Sequence, residues 1–129
     1  MSADDAKAAV TSFLRAFERG DLRALEGLLT EGFVGHITTA DAGIREVDRG
    51  GYVSGVRSMD VRSANLRLAV PNIVEMEPGR VLVMVEVHAQ RGRSVLHNFS
   101  GQLATVTGGK LSELWMVDAL PAESDAFWS

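Results

Sequence analysis

Residues 80–118 hold three apolar runs separated by little more than glycine turns, and this restricts the fold more than any other feature of the chain. The first run, RVLVMVEVHAQ, puts Val81, Val83, Val85 and Val87 on one parity and Leu82, Met84, Glu86 and His88 on the other. β-Branched residues at a period of two spell a strand. Both parities are largely apolar, so both faces of this strand are expected to be covered. Arg91-Gly92 signals a turn, residues 95–107 a second strand, Gly108-Gly109 another turn, and residues 110–118 a third strand. Connections this short join only antiparallel neighbours. Just upstream, Leu66, Leu68 and Val70 alternate with Asn65, Arg67 and Ala69. Pro71 interrupts that strand and predicts a bulge or an edge position. Pro78-Gly79 is the turn into the next strand.

The first third of the chain has the helical period instead. Ala6, Ala9, Val10, Phe13, Leu14 and Phe17 recur at helical spacing, behind a Ser2–Asp5 capping box, and predict a helix over residues 3–19 that stops at Gly20. Asp21 can cap a second helix carrying Leu22, Leu25, Leu28 and Leu29, with Gly32 ending it. Residues 33–38 (FVGHIT) read as a short strand, and residues 39–51 as an irregular loop. Residues 51–56 make a short third helix that holds Tyr52, weakened by Gly51 and Gly55. Helices first and hairpin-linked strands afterwards give an α+β chain, with helices packed in the concave face of a curved, mostly antiparallel sheet. A cone-shaped hollow between the two layers is the natural pocket. The second face of the sheet calls for a partner, and a symmetric homodimer is the simplest.

With 129 residues, 46% of them hydrophobic, the chain is expected to form one domain spanning residues 1–129. A net charge of -4 without a basic cluster argues against nucleic acid. No apolar run reaches the ~20 residues of a membrane span, and the acidic, polar start is unlike a secretory signal, so a cytoplasmic protein is expected. The absence of cysteine excludes disulfides, thiolate metal sites and Cys nucleophiles.

The stretch FLRAFERGDLRALEGLLTEGFVGHI (residues 13–37) resembles the opening of the nuclear transport factor 2-like superfamily, in particular its SnoaL-like branch. GGKLSELWMVD (residues 108–118), followed by DAFWS (residues 125–129), resembles the closing strand and tail of many bacterial members. The resemblance spans nearly the whole chain and implies an α+β cone, an internal pocket and frequent dimers. It does not imply one activity, since that superfamily holds ketosteroid isomerases, polyketide cyclases, epoxide hydrolases, dehydratases and binding domains. Counted from Gly20-Asp21 against the ketosteroid isomerases, the oxyanion tyrosine falls at Phe13, the proton-abstracting carboxylate at His36 and the second carboxylate at Gln102. Phe13 cannot donate a hydrogen bond, so a steroid isomerase is not implied.

By that counting His36 is the candidate base, its ordinary pKa of ~6.5 suiting proton transfer near neutrality. The alternative is a hydrogen-bonded structural histidine. The same counting turns Asn98, Ser100 and Gln102 toward the pocket, as ligand contacts or as buried groups satisfying one another. It puts Leu114, Met116 and Asp118 on the pocket parity of the last strand. Asp118 is then an acid or an orienting group at the mouth, or simply the cap of the following turn. Trp115 belongs to the rim or the dimer face. Tyr52 offers a phenol to a carbonyl oxygen, or packs. Phe127 and Trp128 are expected to fold back over the cone or a partner. Glu86, His88 and His97 are of metal-ligating type on paired strands, but no HExxH motif supports them and the sequence leaves the hairpin register open by one residue; no metal is expected. The resulting expectation is a small-molecule-binding cone. It works as a cofactor-independent isomerase, cyclase or dehydratase on an apolar polyketide- or terpenoid-like substrate, or else as a non-catalytic dimeric binding domain.

Overall fold

The computed structural model describes residues 3–129; the Ser2 cap lies outside them. Helix α1 spans Ala3–Arg19 and ends at Gly20, whose φ of +66° is the left-handed turn that glycine adopts without strain. Side chains there are further excluded by Val61, whose methyl carbon lies 3.0 Å from where a Cβ would stand. Asp21 accepts from the Ala24 N–H at 3.1 Å and starts helix α2, Leu22–Gly27. This helix is shorter than its leucines predict. Leu29 already belongs to strand β1 (Leu29–Thr38), paired with Leu111, and the Leu111 N–H donates to the Leu28 carbonyl at 2.8 Å. Strand pairing wins over helical period, and the exposed Gly32 falls in the irregular stretch between Leu29 and Val34, not at a helix end.

A second difference lies in the segment expected to be an irregular loop. Ile44–Asp48 forms strand β2, antiparallel to β1, with His36 opposite Glu46. Its charged residues hide the alternation, because it is an edge strand with little to bury. Asp48 then accepts from the Gly51 N–H at 2.7 Å and starts helix α3, Arg49–Met59, twice the expected length. The cap and the buried face of Tyr52, Val53 and Val56 offset the glycines.

Strands β3 (Arg67–Glu77), β4 (Arg80–Arg91), β5 (Ser94–Thr107) and β6 (Lys110–Asp118) follow as predicted hairpins, and Pro121–Trp128 forms helix α4. Pro71 falls in a register shift of β3, at the edge of the sheet, as its missing N–H requires. The six strands run in the order β2-β1-β6-β5-β4-β3, all antiparallel except β1 beside β6. One face of this sheet carries Val81, Val83, Val85, Ala104 and Leu114, packed against Phe13, Leu14 and Val10 of α1 and the apolar side of α3. The opposite face is open: Leu82, Met84, Phe99, Trp115 and Val117 are all exposed. The covered second face of β4 is therefore not supplied within the chain. No helix among the described residues is long and apolar enough to cross a membrane.

Candidate functional site

Alternation along paired strands decides which side chains reach the hollow. Ser100 stands opposite Asp118 and Gln102 opposite Met116, so these four share the helix-facing side of the sheet. Together with Tyr52 of α3 they line a hollow of about 60 Å³ whose remaining walls include Phe13, Phe17, Leu68, Val85 and Trp128. The hollow shares Phe17, Tyr52, Met59, Met116, Asp118, Ser124 and Trp128 with a wider mouth of about 540 Å³, also bordered by Ile37, Thr38 and Thr39. The floor is aromatic, with Phe13 and Phe33 rings each 5.7 Å from the Tyr52 ring. Gly35 makes room for this, because a Cβ there would meet the Phe33 ring and a Val47 methyl at 3.2 Å.

The polar groups form a short relay inside that apolar shell. Gln102 Nε2 donates to Ser100 Oγ at 3.3 Å, and Ser100 stands directly across the strand pair from Asp118. Burial holds the Asp118 pKa above the ordinary aspartate value; the neighbouring Ser100 hydroxyl opposes this and the nearby Asp125 charge reinforces it. Tyr52 is only 5% exposed. Burial first, and then the Asp118 charge, push its phenol well above the ordinary tyrosine value, so it stays a neutral hydroxyl. No hydrogen bond to that hydroxyl occurs among the described residues. A carboxyl of raised proton affinity, a neutral phenol and a primary amide thus line one small, largely apolar space, which is the equipment for moving a proton beside a carbonyl or hydroxyl group.

His36 is not part of it. It stands opposite Trp115 and Glu46, on the outer face. Its ring stacks on Trp115 at 3.8 Å between centroids, Nε2 lies 3.0 Å from Glu113 and Nδ1 3.6 Å from Glu46. Counted spacing placed it one residue out of phase: the hollow side of β1 carries Phe33, Gly35 and Ile37. Trp115 is on the outer face with it, not at the hollow. Leu114 packs in the core without lining the hollow. Asn98 is buried and shares the inner parity, yet its amide is spent on the backbone of the tail: Nδ2 donates to the Leu120 carbonyl at 3.1 Å, and Oδ1 accepts from Leu120 at 3.0 Å and Phe99 at 2.8 Å.

Sequence reasoning missed Ser124 as a lining residue, while Trp128 folds back over the cone, one of the two places expected for it. Helix α4 folds back over the mouth. It is tied there by Asp125 Oδ2, which accepts from the Ala40 N–H at 3.1 Å, and by Arg91, whose guanidinium lies 5.8 Å from the Phe127 ring and 5.7 Å from the Trp128 ring.

No protein-family model and no curated protein sequence matches the chain. Solved structures do. Bal32a, from a soil-derived mobile gene cassette, aligns over 98% of both chains with a TM-score of 0.80 at 18% identity. An LEH-like epoxide hydrolase of M. tuberculosis aligns over 97% of this chain and 90% of its own, with a TM-score of 0.78 at 14% identity. A proposed polyketide cyclase of Xanthomonas campestris pv. campestris aligns over 98% of both chains, with a TM-score of 0.71 at 20% identity. At such identities the likeness speaks for architecture: the chain has the α+β cone fold of the nuclear transport factor 2-like proteins, the fold of these cyclase and epoxide hydrolase neighbours.

Proposed function

We propose that this protein binds a small, largely apolar, oxygen-bearing molecule in its cone and moves a proton on it without a cofactor. The observation that carries this is Asp118, a carboxyl of raised proton affinity that lines the same largely apolar hollow as Tyr52, whose hydroxyl has no hydrogen-bond partner among the described residues. In its ionised form Asp118 takes a proton from carbon next to a carbonyl and returns it to another atom of the same molecule. Tyr52 donates a hydrogen bond to the carbonyl oxygen as negative charge grows there, with Gln102 as a second donor. Isomerisation, ring closure and loss of water all begin with that step. The interior holds only part of a polyketide- or terpenoid-like skeleton, so the rest would occupy the mouth between Ile37, Met59 and Trp128. Neighbours described as a polyketide cyclase and an epoxide hydrolase are consistent with small-molecule chemistry in this fold, and they do not choose among reactions.

A second reading, a non-catalytic binding domain, draws support from Phe13 standing where a donor would complete an oxyanion site, and from the small interior. Deuterium exchange separates the two. Wild type and Asp118→Asn are incubated in deuterated water with a panel of apolar ketones and 1,3-dicarbonyls, and label uptake is followed by mass spectrometry. Uptake catalysed by wild type and lost in the variant supports proton transfer. Binding by ligand-observed NMR without uptake in either protein would leave only the binding reading.

The outer face supports a further part of the proposal, a homodimer. Leu82, Met84, Phe99, Trp115 and Val117 lie on three adjoining strands and make one apolar surface, which a second copy can cover by twofold symmetry.

A further inference from the structure

The chain has three histidines, and two of them meet on the outer face of the sheet, away from the hollow. His88 of β4 and His97 of β5 are direct cross-strand partners, and their rings stack with centroids 4.5 Å apart and planes within 13°. Glu86 precedes His88 by two residues and so projects from the same face. Its Oε2 lies 2.6 Å from His97 Nε2 and 3.3 Å from His88 Nε2. One ligand atom from each of the three residues falls within 4.8 Å of the others. The sequence left this trio unsupported because the hairpin register was open; the register is now fixed, and it brings all three to one point.

We propose that Glu86, His88 and His97 form a binding site for a late first-row divalent cation, with Zn²⁺ the best match. Zinc bonds imidazole nitrogen and carboxylate oxygen at ~2.0–2.2 Å, so tetrahedral ligands stand about 3.3 Å apart. The Glu86–His88 separation already has that value, the Glu86–His97 contact needs to widen by less than about an ångström, and the stacked imidazoles, whose ligand atoms lie within 4.8 Å of each other, need to turn toward one another by no more than about 1.5 Å. The two imidazoles, 45% and 51% exposed, are free to make that adjustment while their strands hold them in register. Two neutral nitrogens and one carboxylate suit zinc, copper or nickel and disfavour magnesium and calcium, which take oxygen ligands. Water completes the shell on the open side. The Phe99 ring, 5.2 Å from that of His97, braces one imidazole. Arg67, opposite His88 on β3, sets a positive charge beside the site, and it makes no ion pair with the trio among the described residues. The site does not depend on the proposed chemistry of the hollow, which lies on the other side of the sheet.

The test is calorimetric titration of ZnCl₂ into tag-free, metal-stripped protein, alongside NMR of the three histidine ring protons in wild type. The expected result is one Zn²⁺ per chain with a micromolar Kd, at least tenfold weaker in His97→Ala and in Glu86→Gln, and no detectable binding of Mg²⁺. Zinc should shift the His88 and His97 resonances and leave those of His36 in place. Binding undiminished in both variants, or resonance changes at His36 alone, would overturn the assignment. The wild-type spectra decide the matter even if a variant fails to fold.

Discussion

The half-buried carboxyl of Asp118 gives this molecule its clearest signature. The folded state holds the Asp118 proton more tightly than the unfolded chain does. Its contribution to stability is therefore complete below the unfolded pKa of ~3.9 and is lost as pH climbs through the higher folded value. Wild type should lose stability across that interval. Asp118→Asn, neutral throughout, should lack that loss and match or exceed wild type at pH 7, as read from urea midpoints against pH. Turnover on any substrate found should fall in the same variant by about 10²-fold or more, the ordinary worth of a positioned acid–base group. Tyr52→Phe removes a hydroxyl that has no hydrogen-bond partner among the described residues, so folding should change by less than about 0.5 kcal/mol, while ligand affinity or turnover drops about tenfold. His36→Ala should do the reverse. Activity should persist, and stability should fall by about 1–2 kcal/mol as the Trp115 stack and the Glu113 bond disappear. Abolished turnover with intact folding would return His36 to the mechanism. The sequence offered His36 as the base and Asp118 as an acid, an orienting group or a turn cap, each a titratable group at a strand end. Only strand pairing distinguishes them: in parallel β1 and β6, His36 rides beside Trp115 and cannot share a face with Asp118.

At the scale of elements, strong periodicity was legible and edges were not. The β4–β5–β6 meander and α1 could be read directly, because each buries a continuous face and its pattern has to show. β2 and the true length of α2 could not, because both depend on what lies beside them: β2 on the free edge of β1, α2 on the pairing of Leu29 with Leu111. Asn98 illustrates the same limit. Counted parity offered it as a ligand contact or as a self-satisfied buried amide; its amide instead holds the Leu120 N–H and carbonyl in the link from β6 to α4, and accepts from Phe99 on its own strand. Asn98→Ala leaves the Leu120 N–H and carbonyl without their partner, and should cost about 1–3 kcal/mol by urea unfolding. Arg91→Ala should act on α4 more narrowly. It removes the cation over Phe127 and Trp128 and the bonds to the Met59 and Asp60 carbonyls. Faster proteolysis of the tail, with a global midpoint lowered only slightly, is the expected outcome; unchanged cleavage would mean that α4 is held by other contacts.

Taken whole, the molecule spends its two sheet faces differently. The inner face closes on the helices and leaves a hollow, and the strand parity that lines it excludes His36, Trp115 and the metal trio alike. The outer face carries apolar side chains that none of the described residues covers, although the double apolar pattern of residues 80–90 asked for cover. Solitary exposed apolar residues need no explanation, but Met84, Phe99, Trp115 and Val117 come from three consecutive strands and adjoin. Their patch is self-complementary only if a twofold axis passes through it, so a closed dimer should form and no larger species. Sedimentation equilibrium should then give twice the mass of the 129-residue chain. Trp115→Asp places a charge in the middle of the patch, against Glu113 and Glu46 around His36, and should shift the species to a monomer. Because Asp118 and Tyr52 face the opposite side, the monomer should keep its cooperative unfolding and its hollow. A wild type that sediments as a monomer at high micromolar concentration would show instead that this face stays bare in solution.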